Sequence, residues 1–373
     1  MGMNALEKKI IEKIGKDGPI TFERFMETAL YDPEYGYYSV EKVRIGREGD
    51  FYTSSHLHPS FAAMIGRQIA EMWDLMGRPH DFMIVEIAPG AGHACRDMLD
   101  SLKEEPLFSS LRYCLVERNP VVKEIQRTRL SEFSGRVDWF SSLEDLGKIR
   151  GCIFSNELLD AFPVHLVLME DGLKEVYVTT DGSHLTWEKG AVSTPDITDY
   201  FGYLSVELER GYRTEVNLKI RDWLHGVNAR LQEGFVLTID YGYTARDYYS
   251  EDRNRGTLLC YHGHQMNDDP LRNVGEQDIT AHVNFSSLRR WGEQVGLKTV
   301  GFCGQGPFLV SLGIEEEIRR LAGSGDYLFG LARIKRLIMP QGMGESHMVM
   351  VQYKGAGNPV LRGFSMRNQL RYL

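Results

Sequence analysis

Phe82-Met83-Ile84-Val85-Glu86-Ile87-Ala88-Pro89-Gly90-Ala91-Gly92 is an apolar run that closes on a carboxylate and a Gly-x-Gly turn, with a helix-compatible stretch following it. A strand, a glycine turn and a helix start together let a ligand approach main-chain N–H groups closely. A dinucleotide fingerprint would need a third glycine at position 95, where Cys95 stands, and no P-loop is present. Pyrophosphate is therefore disfavoured. The pattern fits a ligand without phosphate, with Glu86 facing an amino group and Pro89, Gly90 and Gly92 shaping a turn for a carboxylate or ribose.

Outward from this turn, short apolar runs at 82–87, 112–116, 137–140, 152–154 and 235–239 alternate with helical stretches that begin near Gly92, Pro120 and Leu158. This alternation predicts an α/β domain with a parallel sheet. Runs at 164–169, 173–179 and 184–188 are separated by Asp171-Gly172 and Asp181-Gly182, which suit tight hairpin turns and predict an inserted antiparallel meander. Two late strands, at 297–302 and 347–353, flank a helical stretch near 314–321. At the amino end, residues 5–30 carry apolar positions at helical spacing, broken at Gly18-Pro19 and restarted by Thr21 as an N-cap. A further helix is expected from Pro59 to Met76. The expected organisation is an N-terminal helical and aromatic cap (1–80), a Rossmann-like core (81–163 and 233–353), an insert of meander plus helices (164–232) and a tail (354–373).

The composition, 42% apolar and 25% charged over 373 residues, is that of a chain with a packed core. Forty-three Lys and Arg against 52 Asp and Glu leave a net charge of -9, which argues against nucleic acid as partner and tolerates a cationic substrate. The five cysteines include no C-x-x-C pair and read as reduced, mostly buried thiols. No segment reaches the ~18 apolar residues of a membrane span, and the first residues lack a secretory signal, so a cytoplasmic setting without membrane association is expected. His56-x-His58, His262-x-His264 and His282 lack a companion carboxylate or cysteine at zinc-like spacing, so no metal is expected.

The second strand ends in Val116-Glu117, where a carboxylate can accept both hydroxyls of a ribose. Asn156, Glu157 and Asp160 follow the fourth strand at the same sheet edge, with Glu157 and Asp160 spaced to share a helical face. They are equally suited to a plain helix start, where acids are favoured by the dipole. Asp240 ends the fifth strand on that edge. Strand, E-x-x-P-G-x-G, helix, strand, acid resembles the class I S-adenosylmethionine-dependent methyltransferases.

A narrower resemblance rests on D-P-E-Y-G-Y-Y (32–38), G-D-F-Y-T-S (49–54), the glycine loop, S-N-E-L-L-D-A-F-P-V (155–164), I-D-Y-G-Y (239–243) and G-E-Q-D-I-T-A-H-V-N-F (275–285). Together these segments resemble the MidA-type methyltransferases, a family that includes a mitochondrial protein arginine methyltransferase acting in complex I assembly. The resemblance implies a Rossmann-like class I methyltransferase core, S-adenosyl-L-methionine as cofactor and a protein arginine as acceptor. It places Glu86, Pro89, Gly90, Gly92, Glu117 and Asn156 at the cofactor, and Glu157, Asp160 and Asp240 as catalytic carboxylates. Tyr37, Asp50, Tyr52 and Thr53 are then substrate-binding or capping residues. The chain departs from the family pattern at Ala88, where a Gly is usual, at Ala91, at Ser55-His56 and at Asn284. Two rival readings stand beside this one: a non-catalytic assembly protein that keeps the cofactor fold, and a methyltransferase of small molecules. A homo-oligomer is left open.

Overall fold

Leu6, Ile10 and Ile14 line one face of α1 (Ala5–Asp17), which Asn4 caps by accepting the Glu7 N–H and which ends at Gly18. β1 (Ile20–Thr21) and α2 (Phe22–Tyr31) follow, and Thr21 caps α2 as its sequence predicts by accepting the Arg24 N–H. The computed structural model describes residues 3–39, 54–322, 325 and 327–373, without the side chains of Ser55 and His56. α3 (Ser54–Leu57) leads into α4 (Ser60–Leu75), which packs on the main sheet.

That sheet begins with β2 (Phe82–Ile87), α5 (His93–Leu102), α6 (Leu107–Ser110), β3 (Leu111–Val116), α7 (Pro120–Arg129), β4 (Val137–Phe140) and β5 (Ile149–Asn156). The insertion supplies β6 (His165–Met169), β7 (Leu173–Thr180), β8 (Leu185–Gly190), α8 (Pro195–Leu204) and β9 (Arg213–Val216). α9 (Lys219–Arg230) then returns the chain to the long central β10 (Leu231–Tyr243). Beyond it lie α10 (Ala245–Tyr248), β11 (Leu259–His262), β12 (Gln265–Asn267), β13 (Asp278–Thr280), β14 (Val283–Asn284), α11 (Phe285–Gln294), β15 (Lys298–Gly304) and β16 (His347–Lys354).

The strand order is β15-β16-β10-β5-β2-β3-β4, with β16 antiparallel to both neighbours and the pairs from β10 to β4 parallel. From β2 the chain winds outward through β3 to β4, whereas β5 returns to the other side of β2 and continues to β10. The order reverses between β2 and β5, and the carboxyl ends of those strands form the crevice where open α/β sheets bind ligands. Both sheet faces are covered, by α4 and α5 on one side and by α9 and α11 on the other. This is the class I methyltransferase fold.

The meander β6-β7-β8 forms at the two Asp-Gly turns, and it gains two strands that alternation alone does not reveal. β1 pairs with β7 and β9 with β6, so α1 and α2 pack on the inserted sheet and not on the main one. The residues after Lys354 fold back, with Leu361 and Phe364 buried against the main core. All five cysteines are buried and unpaired.

Candidate active site

The Gly-x-Gly turn is a main-chain arrangement held by side chains from elsewhere. Ala88 and Gly90 both lie at φ 52 and Gly92 at φ 78, in the left-handed region that favours glycine. Ala88 therefore occupies, with a side chain, a conformation that the family's usual glycine adopts without strain. A Cβ at Gly90 would point into open space, whereas one at Gly92 would meet Gln126 Cγ at 3.4 Å. The buried Gln126 of α7 donates from Nε2 to the Gly90 carbonyl at 2.7 Å and accepts the Trp139 Nε1–H at 3.0 Å. Arg129 donates to the Ala91 carbonyl at 2.6 Å. These two braces were not legible in the sequence, because an ordinary polar helix position carries no mark of what it reaches.

A cavity of about 1260 Å³ opens at this edge. Glu86, Pro89, Gly90, Glu117, Asn156, Glu157, Asp160 and Tyr37 all line it. Gly92 does not. It starts α5 one layer behind the turn, so its part is to shape the loop. Glu86 accepts the Tyr113 hydroxyl at 2.7 Å, and burial pushes its carboxyl up to about 7 against the opposing effect of that bond. Glu117 accepts the Asn119 N–H at 2.8 Å, with desolvation raising its pKa.

At the other end of the cavity the expected helix from Leu158 is absent. Glu157 sits at φ 53, and Leu159–Ala161 forms a single 3-10 turn before Pro163. Glu157 and Asp160 consequently do not share a helix face. Pro163 explains the departure: it lacks an N–H and turns Phe162 out of the helical region, to φ -70 and ψ 136, so the stretch ends after one turn. Asp240 holds this short turn in place: its carboxylate accepts the N–H groups of Leu158 and Leu159, and that of its own neighbour Tyr241. It is fully buried outside the cavity lining, so it braces the turn and does not meet the contents of the cavity. Burial nevertheless pushes its carboxyl up to about 7.

Glu157 points into the cavity with one oxygen engaged. Oε1 accepts the Ser54 N–H and the Asn156 side-chain amide, each at 3.1 Å, while Oε2 accepts no hydrogen bond among the described residues. Asp160 is held well above the usual carboxylate range by burial, and then by the neighbouring Asp240, Glu157 and Asp278. Asp278, one of two acids in the 275–285 segment, lines the cavity as Glu276 does, and accepts the Tyr38 hydroxyl at 2.8 Å. Tyr31 closes the same wall by donating to the Ala161 carbonyl at 2.9 Å. Asp50, Tyr52 and Thr53 lie outside the described residues. Among the described residues no His, Cys, Asp and Glu cluster is arranged to hold a metal ion, and no helix is long and apolar enough to cross a membrane.

Residues 64–303 match the family described as "Putative S-adenosyl-L-methionine-dependent methyltransferase", and the chain belongs to that family. Its activity is S-adenosylmethionine-dependent methyl transfer. Among curated relatives, the mitochondrial protein arginine methyltransferase NDUFAF7 of Mus musculus is 29% identical over 91% of this chain and 82% of its own length. The NDUFAF7 homolog of Drosophila melanogaster is 28% identical over 86% of this chain and 77% of its own. A Burkholderia thailandensis protein solved with S-adenosyl-homocysteine superposes with a TM-score of 0.91 at 29% identity, covering 99% of this chain and 96% of that one.

Proposed function

We propose that the chain transfers a methyl group from S-adenosylmethionine to an arginine side chain of a protein substrate. The observation that carries this reading is the continuity of one cavity from the glycine turn to a group of carboxylates, Glu157 and the buried Asp160 and Asp278. The names of the mitochondrial relatives support the same acceptor.

The residues at the turn fit the cofactor. Gly90 leaves room where a side chain would block approach, and Glu86 offers a carboxylate for an amino group. Glu117 is placed to accept ribose hydroxyls. Asn156 lines the cavity with its buried Oδ1 unpartnered among the described residues, and Leu143 and Trp223 add apolar walls for a base. When bound, S-adenosylmethionine supplies a methyl group on a cationic sulfur.

The chain's own residues orient the acceptor. Arginine stays protonated, with a pKa above about 12, and its charge must be drawn away from the reacting nitrogen. Carboxylate oxygens match the guanidinium fork and fix its plane. A cation between Glu157, Asp160 and Asp278 offsets the mutual repulsion and burial that hold Asp160 protonated in its absence. Glu157, through Oε2, the oxygen that accepts no hydrogen bond among the described residues, receives the proton that the methylated nitrogen sheds. Holding the nitrogen at near-attack distance, roughly 3 to 3.5 Å from the methyl carbon, supplies most of the remaining rate. The unpaired cysteines suit a reducing compartment, and we assign the protein to one such as the cytoplasm.

Mass spectrometry of the host proteome with and without the gene tests the acceptor. Arginine methylation lost from a defined protein supports the reading, and an unchanged arginine methylome contradicts it.

A further inference from the structure

Resting on Glu157 as the residue that grips the acceptor, we propose that His347 is its positioning residue, fixing the carboxylate in the plane that presents Oε2 to the cavity. His347 opens β16, the one reversed strand between β10 and β15, and is fully buried. It lies in register with Tyr241, whose ring centroid is 3.9 Å from its own. Nδ1 is 3.1 Å from Ser346 Oγ, which leaves Nε2 to face the turn after β5. That nitrogen makes no hydrogen bond among the described residues and lies 3.5 Å from Glu157 Oε1.

A buried ring nitrogen without a partner is costly unless a neighbour completes it. The group in reach is the oxygen that already receives Ser54 and Asn156. Ser346 carries one proton with two acceptors in reach, His347 Nδ1 at 3.1 Å and the Gly342 carbonyl at 3.3 Å; given to the nearer Nδ1, it sets the tautomer in which Nε2 carries the proton and becomes the third donor. Three donors from three separate parts of the chain then converge on Oε1. A carboxylate held by one oxygen at three points has little freedom to rotate, so its second oxygen stays aimed at the acceptor. Asp240 performs the complementary task on the main chain of the same turn.

The test uses the purified full chain, tritiated S-adenosylmethionine at saturation and the protein fraction of a lysate from a strain lacking the gene. His347→Phe keeps the ring against Tyr241 and removes both nitrogens, whereas His347→Gln keeps an amide donor. Misplacing a catalytic group costs rate and not ground-state cofactor binding, so His347→Phe should lower transfer about tenfold with cofactor Kd within about twofold, and His347→Gln should recover most of the loss. Wild-type transfer by His347→Phe, with Glu157→Gln inactive, overturns the positioning role and leaves the acceptor reading intact. Equal losses of rate and cofactor affinity in both His347 variants also overturn it. Wild-type transfer by Glu157→Gln removes the reading beneath it. Should His347→Phe fail to fold, ¹⁵N NMR of histidine-labelled protein decides: Glu157→Gln should move the His347 Nε2 resonance, and an unmoved resonance contradicts the contact.

Discussion

Asp240 accepts the backbone N–H of Leu159 at 2.8 Å, tying the end of β10 to the turn that follows β5. Two strands thereby hold the loop that carries Glu157 and Asp160. Truncation should expose how much the turn depends on this one side chain. Asp240→Ala leaves the N–H groups of Leu158, Leu159 and Tyr241 unpaired, and should cost about 2 to 3 kcal/mol in urea unfolding. Methyl transfer should fall further than cofactor affinity, because the loosened turn carries the acceptor acids and not the glycine loop.

Gly90→Val should abolish measurable cofactor binding in calorimetry. The substitution places a branched side chain at φ 52, a conformation that costs an L-residue roughly 1 to 2 kcal/mol, and fills the open space beside the turn. Gln126→Ala tests the same loop from behind. It leaves the Gly90 carbonyl and the Trp139 indole N–H unpaired, and should weaken cofactor binding about tenfold without touching the cavity itself.

Glu117→Ala should weaken cofactor binding by about 1.5 to 3 kcal/mol in the same calorimetry, the value of charge-assisted hydrogen bonds to a ribose. A wild-type affinity would remove Glu117 from the site.

How far the sequence reveals the site follows from the range of the contacts involved. The glycine turn, Glu117 and Glu157 announce themselves locally, as strand ends followed by turn residues on one edge of a parallel sheet. Their supports do not. Gln126 and Arg129 reach the turn from α7, and His347 reaches Glu157 from a strand near the carboxyl end, so neither relation has a local pattern. The helix expected at Leu158 fails for a local reason, Pro163, which ends the stretch after one turn, whereas the brace that Asp240 gives that turn comes from another strand. β1 joins the inserted sheet although a two-residue strand is too short to show alternation. Asp278 stands in the 275–285 segment, yet its role depends on Tyr38 and Asp160 arriving from far away in the chain.

Glu86 makes stability and binding respond to pH in opposite senses. Its folded carboxyl titrates near 7, above the unfolded value, so the folded state keeps a proton that the unfolded state releases. Its contribution is fully present below about pH 4.5 and is lost as pH rises through about 7, a span of about 3 kcal/mol. Glu86→Gln should flatten that part of the stability curve in urea unfolding. Cofactor affinity should rise across the same interval in the wild type, as the carboxylate that meets the amino group ionises, and should stay flat in Glu86→Gln.

The most direct measurement is amino-acid analysis of the labelled product. The purified chain is incubated with tritiated S-adenosylmethionine and proteins from a strain lacking the gene, and the precipitated protein is hydrolysed to amino acids. Label should elute as methylarginine with the wild type and be absent with Glu157→Gln, whose cofactor affinity should remain near the wild-type value. Label in another amino acid, label confined to small molecules, or methylarginine formed at the wild-type rate by Glu157→Gln would contradict the account.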